Sequence, residues 1–222
     1  LGQIRTGAAS GLATKVMARK DSASVGIIGT GNQAITQLTA VCSVRHITQI
    51  KAFSRTPENR DKFCLDMSSI LGVSVESASS AREAVREVDI VIAITNVRTL
   101  SPVLLGEWLE PGMHINAAGA NSMNRRELDD EAVTRSSLVV VDSKEQAKIE
   151  CADLAIPADL GLLEWDRVVE LGHVVSGQVN GRVNPDDITL FESQGIALED
   201  VAAATHIYNR AKHEGVGITL PF

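Results

Sequence analysis

The tightest constraint on this chain is the run Val25-Gly26-Ile27-Ile28-Gly29-Thr30-Gly31-Asn32-Gln33-Ala34, where an apolar segment leads straight into a Gly-x-Gly-x-x-Ala turn. That order of residues predicts a strand, a tight glycine turn and a helix whose first N–H groups are left free. Gly29 permits the turn, Gly31 lets an anion approach the backbone, and Ala34 lets the helix lie close to the strand. Free N–H groups at a helix start attract the pyrophosphate of a dinucleotide. Gly29, Thr30, Gly31, Asn32 and Gln33 are therefore candidate cofactor residues.

Short apolar runs recur at residues 47–53, 90–94, 114–118 and Leu138–Val141, with amphipathic stretches between them. This alternation predicts βαβ units and an α/β fold, a Rossmann-type parallel sheet with helices on both faces. Residues 33–44 have helical periodicity, Pro57 opens a helix at its first turn, and Ser80 with Glu83 forms a capping-box start for residues 80–87. A helix is also expected over residues 6–19, where Gly7 and Gly11 each cost about 1 kcal/mol relative to Ala and so mark close packing. Residues 195–214 place Ala197, Val201, Ala204, Ile207, Tyr208 and Ala211 along one helical face, with Gly215 positioned to stop the helix. Residues 160–187, broken by Gly161, Gly172, Gly177, Gly181 and Pro185, read as irregular.

The 28 acidic and 21 basic residues are interspersed and give a formal net charge of -7, which leaves no basic stripe to neutralise a nucleic-acid backbone. No apolar run approaches the roughly 20 residues that a membrane-spanning helix needs, so no membrane association is expected. Cys42, Cys64 and Cys151 are odd in number and widely spaced, which suits neither a disulfide framework nor a zinc site and agrees with a reducing cytoplasm. His46, His114, His173, His206 and His213 show no metal-ligand spacing, and no metal is expected. The start at Leu1 has neither an initiator Met nor the features of a signal peptide, which suggests that an N-terminal part of a longer protein is missing.

After the second expected strand, where NAD-preferring proteins commonly place an acid, this chain has Ser54-Arg55-Thr56. The two hydroxyls accept a phosphate without repelling it, and the Arg55 guanidinium can pair with a 2′-phosphate, which favours NADP(H) while leaving NAD(H) possible. The alternative is that Arg55 is a solvated loop charge beside Pro57. Thr95-Asn96 and Gly119-Ala120-Asn121 follow later strands, where ligands bind in open α/β sheets, and are candidates for the nicotinamide edge. Turn chemistry explains the same residues equally well.

Several segments together resemble the ornithine cyclodeaminase/μ-crystallin family: Arg5-Thr6-Gly7-Ala8-Ala9-Ser10, the Gly29 turn, Ile115-Asn116-Ala117-Ala118-Gly119-Ala120-Asn121, Arg126-Glu127-Leu128-Asp129, and Phe191-Glu192-Ser193-Gln194-Gly195-Ile196-Ala197-Leu198-Glu199-Asp200. The resemblance implies a two-domain subunit. Residues 1–7 would end a substrate and dimerisation domain, residues 8–194 would form the Rossmann domain, and residues 195–222 would return to the first. It also implies a homodimer formed through that missing domain. The implied substrate is a small amino or imino acid, with hydride transfer at a carbon bearing nitrogen.

Within the resemblance Arg5 matches an arginine that binds the substrate carboxylate, although a salt bridge near the domain junction is an alternative. Ser193 matches a position near the nicotinamide, with an N-cap for the following helix as the alternative. Asn121 stands where similar cyclodeaminases carry a catalytic aspartate, and an amide cannot serve as a general base. An imine or ketimine reductase or an amino-acid dehydrogenase is therefore the first expectation. A cyclodeaminase and a cofactor-binding protein without turnover are the alternatives.

Overall fold

The computed structural model describes residues 1–218 and residue 220. Strands β1 (Ser24–Ile28), β2 (Gln49–Phe53), β3 (Val75–Ser77), β4 (Ile90–Ala93), β5 (His114–Ala117), β6 (Leu138–Val141), β7 (Val168–Glu170) and β8 (Thr189–Glu192) form one parallel sheet. Their order is β3-β2-β1-β4-β5-β8-β6-β7. From β1 the chain steps outward to β2 and β3, then returns to pair β4 with the other side of β1, with Ile28 opposite Ala93. A crevice opens at such a reversal, beyond the carboxyl ends of the strands.

Nine helices alternate with these strands among the described residues: α1 (Gly2–Met17), α2 (Asn32–Val44), α3 (Pro57–Leu71), α4 (Ala81–Val85), α5 (Asp130–Arg135), α6 (Lys144–Glu150), α7 (Ala152–Asp159), α8 (Leu171–Val175) and α9 (Ala197–Glu214). Side chains alternate between the sheet's two faces. Val25, Ile27, Ile50, Ile90 and Ile92 pack with Leu38 and Val41 of α2 and with Phe63 and Met67 of α3. On the opposite face Ile28, Val91, Ile115, Val139 and Leu190 pack with Val85 of α4, Val133 of α5 and Leu154 of α7. Helices thus cover both faces, as the apolar runs lead one to expect.

Local signals account for the helix starts. Pro57 occupies the first turn of α3, and the Ser80 hydroxyl accepts a bond from Glu83 N at 3.1 Å. The Glu83 carboxylate accepts from Ser79 N at 2.6 Å, so the capping box closes one residue upstream of Ser80. A methyl group at Gly7 would lie 2.6 Å from the Thr36 carbonyl oxygen, and one at Gly11 2.9 Å from Ala40 Cβ. Both glycines are where α1 rests on α2.

One expectation needs correction. Residues 160–187 are not irregular throughout, because they contain β7 and α8, and β8 follows to insert between β5 and β6. A three-residue strand and a five-residue helix are too short to show a period in sequence. The helix expected over residues 195–214 forms as α9 and stops at Gly215 with φ +67°. Its apolar face, however, covers nothing among the described residues: Val201, Ile207 and Tyr208 are 62%, 46% and 65% exposed. Of the segment 195–222, residues 219, 221 and 222 lie outside the described residues.

Candidate active site

Gly29 N donates to the Phe53 carbonyl at 2.8 Å, and the residue turns with φ +107°. Any side chain there would also run into the Ile94 carbonyl. Only glycine satisfies both conditions. Gly31 is the N-cap residue of α2, is exposed, and has open space where a side chain would project. No side chain among the described residues caps the helix, so its first N–H groups face an approach that Gly31 leaves clear. Ala34 is fully buried against β1, Asn32 is exposed, and Gln33 keeps its buried Oε1 without a partner among the described residues. These features suit the pyrophosphate of a dinucleotide.

At the end of β2 the Thr30 hydroxyl donates to Ser54 Oγ at 2.9 Å, and Ser54 Oγ donates to the Thr56 carbonyl at 3.3 Å. The structure therefore brings Thr30, Ser54, Arg55 and Thr56 to one edge of the crevice. Arg55 is exposed and pairs with no carboxylate among the described residues.

The segments after β4 and β5 are joined through Glu127, a residue outside the candidate set read from sequence. Glu127, fully buried, accepts from Thr95 N and from the Thr95 hydroxyl at 2.6 Å each, and from Gly119 N at 2.7 Å. Thr95 thus spends its hydroxyl on Glu127, while Asn96 and Asn121 are exposed at the rim. Burial pushes the Glu127 carboxyl up in pKa, and the N–H and O–H donors around it oppose that shift. Asp153 and Glu192 lie close by with raised pKa values caused first by burial and then in part by their neighbouring carboxylates. Neither was anticipated, because nothing local in the sequence marks a buried acid.

Beyond β6 and β8, Asp142 Oδ2 accepts from Ser193 Oγ at 2.9 Å and from Gly195 N at 2.6 Å. This corrects the capping alternative for Ser193: α9 begins after Ile196 with no side-chain cap, and the serine hydroxyl is committed to Asp142. Asp142 follows Leu138–Val141, and the rule that ligands gather past strand ends was a signal that could have found it. Arg5 Nε donates to Asp200 at 3.1 Å and Nη1 to Glu199 at 3.3 Å, with Gly195 against the guanidinium. Burial and the nearby Asp142 charge push Glu199 up to about 7 even though it pairs with Arg5.

Fold and site together define an NAD(P)-dependent oxidoreductase. More particularly, the chain belongs to the ornithine cyclodeaminase/mu-crystallin family, whose model matches residues 1–215. It is 39% identical over 223 residues to a Delta(1)-pyrroline-2-carboxylate reductase of Bacillus cereus, covering 100% of this chain and 68% of that protein. Among solved structures it resembles Thermococcus litoralis Delta(1)-pyrroline-2-carboxylate reductase in complex with NADH and L-proline, with a TM-score of 0.94, 45% identity, and 99% of this chain and 67% of that one covered. It also resembles an archaeal alanine dehydrogenase dimer with bound NAD, with a TM-score of 0.90, 35% identity, and 99% and 67% covered. The chain thus spans about two thirds of the length of these relatives. No helix among the described residues is long and apolar enough to cross a membrane.

Proposed function

We propose that this chain is the cofactor-binding part of an NADP(H)-preferring imine reductase whose substrate is a small cyclic α-imino acid such as pyrroline-2-carboxylate. The observation that carries this reading is Asn121, exposed at the rim beyond β5. An amide orients a substrate or a water but takes up no proton, which favours reduction of a preformed C=N bond over deamination. The cofactor supplies a hydride for the imine carbon, while the chain's own residues bind, orient and shield. In this reading the open backbone at Gly31 and the start of α2, with Thr30, Asn32 and Gln33 around it, holds the pyrophosphate. Thr95, Asn96 and Ser193 line the nicotinamide side. Arg5 takes the substrate carboxylate through Nη2, the guanidinium nitrogen left over from its pairs with Asp200 and Glu199 among the described residues.

Preference for NADP(H) rests on Arg55, without a carboxylate partner among the described residues and flanked by Ser54 and Thr56. NAD(H) remains the alternative, and the two structural relatives described above hold NADH or NAD. A charge-assisted contact of Arg55 with a 2′-phosphate is worth about 1.5–3 kcal/mol, hence roughly tenfold or more in affinity. In the full-length protein Arg55→Ala should weaken NADPH on that scale and leave NADH nearly unchanged. Ser54→Asp should reverse the preference by adding a hydroxyl acceptor and a repulsive charge. Wild type preferring NADH, or Arg55→Ala weakening both equally, returns Arg55 to a loop charge.

The reading extends to the whole protein as a homodimer formed through a second domain. Residues 1–7 and 195–222 belong with that domain, and 8–194 are the Rossmann unit. The exposed apolar face of α9 supports the C-terminal part of this division. A cytoplasmic location follows in the same reading from three free cysteines, two of them buried.

A further inference from the structure

We infer that Glu127 is a positioning residue that sets the nicotinamide side of the crevice by locking the segment after β4 to the segment after β5. The inference rests on the oxidoreductase reading. One Glu127 oxygen accepts both Thr95 donors and the other accepts Gly119 N, across 32 and 8 residues of sequence. The carboxylate itself is aimed from a fixed mount. Glu127 N donates to Asp153 Oδ1 at 2.9 Å, and the Glu127 carbonyl accepts from Val103 N at 2.8 Å and Leu104 N at 2.9 Å. Asp153 also holds Leu128 N at 2.9 Å.

The steric fit is equally demanding. A methyl group at Gly119 would come within 2.5 Å of Glu127 Oε1 and of the Thr95 carbonyl, so glycine is what lets the two segments meet over the carboxylate. Asn121 stands two residues beyond Gly119, and its place at the rim follows from this lock.

Each carboxyl oxygen accepts a backbone N–H, from Thr95 on one side and Gly119 on the other, and the Thr95 hydroxyl adds a third bond, an arrangement that a carboxylate satisfies in full. A glutamine would turn an NH₂ group toward donors, and the loss is one of geometry as well as charge. Among the described residues the Glu127 carboxylate bonds only Thr95 and Gly119, and it reaches the Gly29 turn only through Thr95, which gives a test that separates positioning from general damage. ADP-ribose, or its 2′-phosphate for an NADP(H) enzyme, occupies the adenosine and pyrophosphate side without a nicotinamide.

In the full-length protein Glu127→Gln should lower kcat with the cyclic imino acid by about a hundredfold, the scale of a misplacement near 1 Å. Affinity for the nicotinamide-free fragment should stay within about twofold, because Glu127 hydrogen-bonds neither the Gly29 turn nor the Ser54–Thr56 edge among the described residues. Thr95→Val, which removes one of the three bonds, should give a smaller loss of kcat in the same direction. Turnover unchanged in Glu127→Gln overturns the inference, as does fragment binding that falls in parallel with turnover. If Glu127→Gln does not fold, unchanged turnover in Thr95→Val overturns it instead. Wild type that binds neither cofactor counts against the oxidoreductase reading, whereas normal wild type with an unaffected variant counts against Glu127 alone.

Discussion

The two sides of the crevice are built in different ways. The glycine-turn side is shaped by backbone: Gly29 adopts φ +107°, Gly31 is open, and the flanking polar residues Asn32, Arg55 and Thr56 are exposed. On the side of β4, β5, β6 and β8, carboxylates bridge segments from different strands, fully buried at Glu127 and half-buried at Asp142. Glu127 ties Thr95 to Gly119, and Asp142 ties Ser193 to Gly195. A pyrophosphate is recognised by N–H groups that any helix start provides, so a short local motif suffices. In the proposed reading a nicotinamide ring needs segments from different strands to keep a fixed relation, and an anion bridging their N–H and O–H donors is suited to supply it.

This contrast can be tested by matched glycine substitutions. The largest effect is expected for Gly29→Ala, where a positive φ combines with a clash against the Ile94 carbonyl. Backbone strain and overpacking together should cost about 2–4 kcal/mol of stability and abolish cofactor binding, as seen by chemical denaturation and calorimetry. Gly119→Ala should follow at about 1–3 kcal/mol, since the added methyl meets Glu127 and Thr95 without a change of φ region. Gly31→Ala is the sharpening control. It should leave stability within about 0.5 kcal/mol yet weaken cofactor binding, because its side chain would enter the approach to the backbone rather than the protein interior. Equal stability losses at Gly29 and Gly31 would erase the distinction between a folded turn and an open one.

The smallest effect concerns Glu199, which faces Arg5 from α1, Asp142 after β6 and Asp200 on its own helix. Its folded-state pKa of about 7 lies above the ordinary carboxylate value. Between those two limits the folded chain holds a proton that the unfolded chain has released. Stability must therefore fall as pH rises through that window and level off above about 7. Glu199→Gln should flatten this slope in thermal melts taken from pH 5 to 8, and an unaltered slope would place the group elsewhere.

Legibility in the sequence follows the same divide. The β1–turn–α2 unit, the Pro57 start of α3, the Ser80 cap and the Gly7 and Gly11 contacts each carry a local signature, and all appear where expected. β7, α8 and β8 were missed because three to five residues show no period. The carboxylate contacts were missed for a different reason. Asp142 and Ser193 are 51 residues apart, and Arg5 and Glu199 are 194 apart, so only the folded chain brings them together. Ser193 shows the limit well: its neighbours suggested a helix cap, while its partner lies at the end of another strand.

The most direct test of the account is to follow the hydride. Full-length protein, given cofactor deuterated at the transferable position of the reduced nicotinamide together with the cyclic imino acid, should consume one cofactor per substrate. The amino-acid product should carry deuterium on its α-carbon, and no ammonia should appear. Ammonia released from a diamino acid without net consumption of cofactor, or cofactor bound tightly with no transfer to the imine, would contradict the account.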